Sequence, residues 1–313
     1  MSKFFVPVLL LLSLLLTGCA TQNREAHDGG IRIVTSAYPA YDFARQVTGS
    51  TENLHMLTRP GIDPHEYEPT PQNIIDLQNC DVFIYNGGES DVWVDELLKS
   101  VENDDMRIVR MMDCVTLLDE ESVEGMDVGE EPHAHAGEEF DEHVWLSPVN
   151  VMRIAESIRD TLMEADPSNE AVYTENAGKF VSELEELDAQ LRDIVANARR
   201  TTIVFADRFP ARYFTEEYGL SYYAAFPGCS SQTEPSAATV AFLIDKVQEE
   251  GIPCVFTVPY SQSALPQTIS EATGASIAQF HSFHNVSDKE FGKLNYLDVM
   301  EENAEALNRA LND

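Results

Sequence analysis

Three histidines carry the chemistry open to this chain. His65 lies in Gly61-Ile62-Asp63-Pro64-His65-Glu66-Tyr67-Glu68-Pro69, between a β-rich run and a helical one. Pro60, Pro64 and Pro69 restrict that loop, so the imidazole loses little freedom when it binds something. His143 stands in Asp141-Glu142-His143-Val144-Trp145-Leu146-Ser147-Pro148. His281 follows the apolar run ending Gln279-Phe280, the same strand-end position that His65 occupies earlier. Neutral imidazole is the usual nitrogen ligand of zinc. Three of them without nearby thiolates favour zinc over calcium or magnesium, which prefer oxygen shells. Plainer roles exist for each: a surface histidine in a turn, a helix cap at His143, a buried hydrogen bond at His281. His284 is close enough to His281 to be a second candidate, whereas His27 and His55 carry no such signal.

The positioning elements alternate between strand and helix. Strands are expected at 31–36, 54–58, 81–86 and 107–112, with helices at 38–47, 71–78 and 93–100. Such spacing indicates a parallel sheet. A second series follows, with strands at 202–205, 221–226, 254–258 and 276–280 and helices at 211–218, 236–250, 261–273 and 296–311. Between the two, 151–163 is helical and 171–199 reads as one long helix. In it Phe180, Leu184, Leu187, Leu191 and Ile194 recur every three or four residues, an apolar stripe. The fold expected is α/β: two βα lobes, 31–170 and 200–313, each with a four-stranded mainly parallel sheet, joined by a rigid helix at 171–199. Ligands of such sheets gather at the carboxyl ends of the strands.

The start of the chain gives an address. Lys3, the apolar run 4–16 and then Leu16-Thr17-Gly18-Cys19 read as a secretory signal over residues 1–18. The last four resemble the bacterial lipobox, which implies acylation of Cys19 and a chain held at a membrane surface by its lipid. Residues 19–30 read as a tether. A formal charge of −34 repels nucleic acid and favours the approach of cations. Cys80, Cys114, Cys229 and Cys254 match no zinc-knuckle or CxxC spacing, and Cys80 and Cys254 sit in apolar contexts that suit buried thiols. Asp119–Glu142 holds eleven acidic residues, no Lys or Arg, and His133 and His135. It lacks apolar periodicity and reads as a mobile loop, either a solvating acidic insert or an accessory one that weakly collects cations.

GIDPHEYEPTPQNI, DVFIYNG, DEHVWLSP and EPSAATV together resemble the zinc/manganese receptor proteins of ABC importers, the ZnuA-like lipoproteins, from about Ile31 to Leu311. The resemblance implies two βα lobes on a backbone helix, and a monomeric, lipid-anchored receptor on the extracytoplasmic face of the membrane. Its ligand would be Zn²⁺, or Mn²⁺ in a sister specificity, handed to an ABC permease without catalysis. By the same resemblance His65 and His143 fall on the first two ligand histidines, and His281 falls where the family usually has an aspartate. The family's third histidine matches Arg208, which cannot coordinate a cation. Asp207, Cys229, Glu234 and His284 are the candidate substitutes. The reading adopted is a site of His65, His143 and His281 with an open or water-filled fourth position. Two other classes stand beside it: a secreted zinc hydrolase with Glu66 or Glu142 as base, and an adhesin that uses metal only for structure.

Overall fold

Two parallel sheets, one from each half of the chain, organise a computed structural model that describes residues 30–127, 140–228, 230 and 234–313. In the first half β1 (Ile33–Thr35), α1 (Tyr38–Thr48), β2 (Leu54–Met56), α2 (Pro71–Gln78), β3 (Val82–Tyr85), α3 (Val92–Leu98) and β4 (Arg107–Arg110) form a sheet of order β2-β1-β3-β4. Two helices follow, α4 (Pro148–Ala165) and α5 (Glu170–Ala196). The second half comprises β5 (Thr202–Phe209), α6 (Arg212–Tyr218), β6 (Ser221–Pro227), α7 (Ala237–Glu249), β7 (Cys254–Thr257), α8 (Leu265–Thr273), β8 (Ser276–Gln279) and α9 (Tyr296–Asn312). Its sheet runs β6-β5-β7-β8, the same pattern, and every pairing in both sheets is parallel.

Parallel strands covered on both faces read as continuous apolar runs, and β3, Val-Phe-Ile-Tyr, is buried along its whole length. The outer face of the first sheet packs Val34, Phe83 and Tyr85 on Leu77, Val94 and Leu97 of α2 and α3. The outer face of the second packs Val204, Ala206 and Val255 on Leu243 and Val247 of α7 and Ile269 of α8. The inner faces do not have separate cores. One cluster runs from Ile33 and Phe43 through Trp145, Phe180 and Leu184 to Phe205, Phe280 and Leu307, and residues 31–313 form a single unit.

Helix α5 lies inside that shared layer. Tyr173, Ala177, Phe180, Leu184, Leu187 and Leu191 are its buried residues, spaced three or four apart, and they meet α1, α4 and α9. Its 27 residues extend about 40 Å at 1.5 Å per residue. A polar strap also crosses between the halves: buried Asp42 on α1 pairs with Arg45, and its Oδ2 accepts the Tyr296 N–H at 2.9 Å. Arg45 in turn donates to the carbonyls of Gly292 and Leu294 at 2.9 and 3.0 Å.

Two expectations change. Strand β5, expected to end at Phe205, runs on to Phe209 with a register shift between Phe205 and Arg208, so Arg208 lies in the strand. The acidic stretch is not one mobile loop: residues 119–127 are laid on the second half of the chain. Tyr213 Oη accepts the Leu118 N–H at 3.1 Å, Asp127 N–H donates to the Ala225 carbonyl at 2.9 Å, and the Ser236 N–H donates to Asp127 Oδ2 at 2.7 Å. Arg212 and Tyr222 hold Glu121, and Asp119 bridges Phe140 on the returning chain. His133, His135, Cys19 and Cys229 lie outside the described residues. Cys80 and Cys254 are buried thiols as expected.

Candidate metal centre

His65 is delivered by one turn of 3-10 helix, Pro64–Glu66, after β2. Asp63 starts the turn, its Oδ1 accepting the His65 N–H at 3.1 Å, and Pro64 sits at the first position, where a missing N–H costs nothing. The loop is tied to the other half of the chain, because Gly61 N–H donates to the Val286 carbonyl at 2.7 Å.

Glu142 and His143 arrive together. Neighbours in an extended chain point to opposite sides, but here His143 has φ −79° and ψ 44°, close to an inverse γ-turn. Val144 N–H closes it on the Glu142 carbonyl at 2.8 Å. Downstream, Ser147 caps α4 by accepting the Asn150 N–H, with Pro148 first in the helix. His143 Nδ1 lies 3.1 Å from Asp141 Oδ1. A carboxylate only accepts, so Nδ1 carries the hydrogen and Nε2 keeps its lone pair for an ion. Glu142 is held from the first sheet. Asp91, buried beyond β3, accepts from Ser36 Oγ and from the N–H groups of Asn86 and Gly87. That fixes the loop from which Ser90 donates N–H and Oγ–H to Glu142 Oε2 at 2.8 and 2.9 Å. Gly88 allows the approach: a Cβ there would sit 2.1 Å from the Glu142 Cβ.

His284 comes from the loop between β8 and α9. Phe283 before it has φ 56° and is fully buried, a left-handed conformation that costs a non-glycine residue about 1–2 kcal/mol. Edge contacts with Tyr38 and Tyr296, at centroid distances of 5.3 and 5.5 Å, hold the ring inward. Trp145 Nε1 donates to the Ser282 carbonyl at 2.8 Å. The reversal sends Phe283 into the core and His284 into the cleft.

There the four side chains meet. One ligand atom from each of His65, Glu142, His143 and His284 lies within 4.8 Å of all the others. Glu142 Oε1 is 3.3 Å from His65 Nε2 and 3.7 Å from His284 Nε2, and both Oε1 and His284 Nε2 are buried without a hydrogen-bond partner. Unpaired buried polar atoms are costly, so these two lack something a cation would supply. Burial, then the charge of His143, pushes His65 down to about 4. Burial, then His65 and His143, puts His284 well below the ordinary value. Burial lifts Glu142 to about 7 against the pull of His143 and the Ser90 bonds. On His143 burial pulls down, but Asp141, Glu142 and Glu120 together outweigh it and the imidazole is raised.

The expected third histidine is therefore displaced by three positions. His281 stands outside the cluster: its Nδ1 accepts the Phe283 N–H at 2.9 Å, and its backbone is clamped by Asn303 of α9. Burial takes it down to about 4. Asp207 spends its oxygens on Thr257 Oγ1, Val258 N–H and Arg208 N–H, bridging β5 and β7. Glu234 is exposed. Arg208 does reach the site, lining the same cavity as His65, His143 and His284. Glu142, weighed from the sequence only as a base, is the fourth member of the cluster, and its place beside His143 was a signal.

The family ZnuA, described as "Zinc-uptake complex component A periplasmic", matches residues 33–310. The chain belongs to this family. Its members are solute-binding components of zinc uptake. The zinc-binding lipoprotein AdcA of Streptococcus pneumoniae is 32% identical over 311 residues, 98% of this chain but 60% of the relative's length. The chain thus spans about three fifths of that relative. The high-affinity zinc uptake system protein ZnuA of Bacillus subtilis is 29% identical over 315 residues, covering 99% of this chain and 97% of the other. The Zn(II)-bound ZnuA-like domain of pneumococcal AdcA superposes with a TM-score of 0.74 at 29% identity, over 91% of this chain and all of that one. Against these ZnuA-family proteins the two-sheet architecture is the shared fold.

Proposed function

We propose that this protein captures Zn²⁺ outside the cytoplasm and delivers it to an ABC permease, with His65, His143, His284 and Glu142 as the donors. The observation that carries this is the convergence of four donor atoms from three separate segments in one buried place, two of them left without partners. Three nitrogens and one carboxylate oxygen suit a tetrahedral zinc site, whereas an oxygen-rich set suits manganese. His143 is pre-oriented by Asp141, the arrangement usual for a zinc-ligating histidine. The zinc-named relatives support the same cargo. A lipid anchor at Cys19 and a monomeric receptor fit the sequence of the leader and the single shared core. Competition against a chromophoric chelator tests the reading. Zinc should bind more tightly than manganese, and His65→Ala, His143→Ala and His284→Ala should each weaken binding more than His281→Ala. Equal zinc affinity in all four variants would overturn the donor set.

A further inference from the structure

We propose that the ion is held together with a small oxyanion, one oxygen of which coordinates the metal while another is gripped by the Arg208 guanidinium. This rests on the zinc-binding reading above and adds a fifth position to its four protein donors, an expansion zinc accepts. Arg208 lines the cavity beside His65 and His284, where a cationic group works against a bare dication. Something negative between guanidinium and ion removes that conflict. Among the described residues Asp63 Oδ2 faces it at 3.8 Å and the Ser230 carbonyl accepts from it at 3.5 Å, a long ion pair and a long hydrogen bond, both through one guanidinium nitrogen. Asp63 has its other oxygen on the His65 N–H. A guanidinium presents five N–H groups in a planar fork that matches carboxylate or phosphate oxygens, and the contacts with Asp63 and Ser230 engage only Nη1.

The space agrees. The cavity measures about 390 Å³, while a water occupies roughly 30 Å³ of liquid, so a coordinated ion leaves room for an anion of a few heavy atoms. Asn285, Ser287 and Tyr260 add polar groups to the wall. Acetate, bicarbonate and inorganic phosphate share the required chemistry, an oxygen for the metal and a second for the fork. The rival role for Arg208 is a latch across the cleft to Asp63, with no anion involved.

Zinc affinity measured in sodium perchlorate, then with millimolar acetate, bicarbonate or phosphate added separately, and corrected for zinc binding by each anion, separates the two. At least one anion should tighten zinc binding about tenfold, and by reciprocity zinc should tighten that anion equally. Arg208→Gln should lose the anion dependence and, in perchlorate, bind zinc more tightly than the unaltered protein because the repulsion is gone. Arg208→Lys, which keeps the charge without the fork, should retain only part of the dependence. Thermal unfolding of each variant reports that it is folded. The same affinity in all four solutions overturns the proposal while leaving zinc capture standing. Weaker zinc binding by Arg208→Gln in perchlorate overturns it in favour of the latch, and no zinc binding by the unaltered protein removes both readings.

Discussion

Replacing Glu142 with Gln should make the metal-free protein more stable and the metal site weaker. Burial raises the Glu142 carboxyl from 4.5 to about 7, so the metal-free fold holds its proton more tightly than the unfolded chain does. The contribution is fully present below about pH 4.5 and is lost as pH rises through about 7. At 1.36 kcal/mol per pKa unit, keeping the carboxylate charged at pH 8 costs the fold about 3 kcal/mol. Gln carries no charge, its oxygen can still accept from Ser90, and its amide can donate toward the unpartnered His284 Nε2. At roughly 2 °C per kcal/mol for a chain of this size, the variant should melt about 6 °C higher in EDTA at pH 8, with little difference at pH 4.5. Zinc affinity should fall by more than the ~10–100-fold seen when an outer partner of a metal ligand is lost. Melting curves in EDTA at the two pH values and a chelator competition for zinc test both halves. A variant no more stable than the parent at pH 8, or with unchanged zinc affinity, would refute the assignment of Glu142 to the site.

Proton competition should be narrower than three ordinary histidines would give. His65 and His284 are already neutral by burial and do not compete with zinc from about pH 8 to 6. Glu142, lifted to about 7, and His143, raised by its acidic neighbours, each hold a proton that zinc must displace, so affinity should fall by up to about a hundredfold per pH unit below about 7; a third-power slope at pH 6, in a chelator series, would contradict this. His284→Ala should remove a donor and abolish high-affinity zinc binding with little loss of stability in EDTA. His281→Ala should instead lower the melting temperature by loosening the turn that carries His284, with a smaller loss of affinity. Asp42→Ala strands Arg45 and the Tyr296 N–H, and should cost about 3–5 kcal/mol in urea unfolding while leaving the zinc stoichiometry at one.

Much of the fold was legible because its elements obey simple periods: four-residue apolar strands, helices opened by proline, and the three-four stripe of α5. The extension of β5 was hidden, since Asp207 and Arg208 interrupt its apolar run and only the pairing with β6 and the bond from Thr257 keep them in the strand. His65 and His143 could be picked out by their proline-bounded settings. His284 could not be separated from His281, because the choice depends on one left-handed residue, Phe283, whose conformation is held by Tyr38 and Tyr296 from distant segments. Glu142 was obscured by the same kind of local geometry, a γ-turn that brings two adjacent side chains to one side. The acidic stretch was read by composition alone, and composition does not register that Asp127 and Glu121 find donors on the opposite half.

The single interior that α5 helps to fill has a consequence for unloading. A body built around one continuous filling has no empty seam along which its halves could swing, so a wide-open form would expose Phe180, Leu184 and their neighbours to water. The turn bearing His65 lies at the rim, laced to Val286 by one backbone bond and faced at Asp63 by Arg208, so a shift of that turn would leave the interior closed.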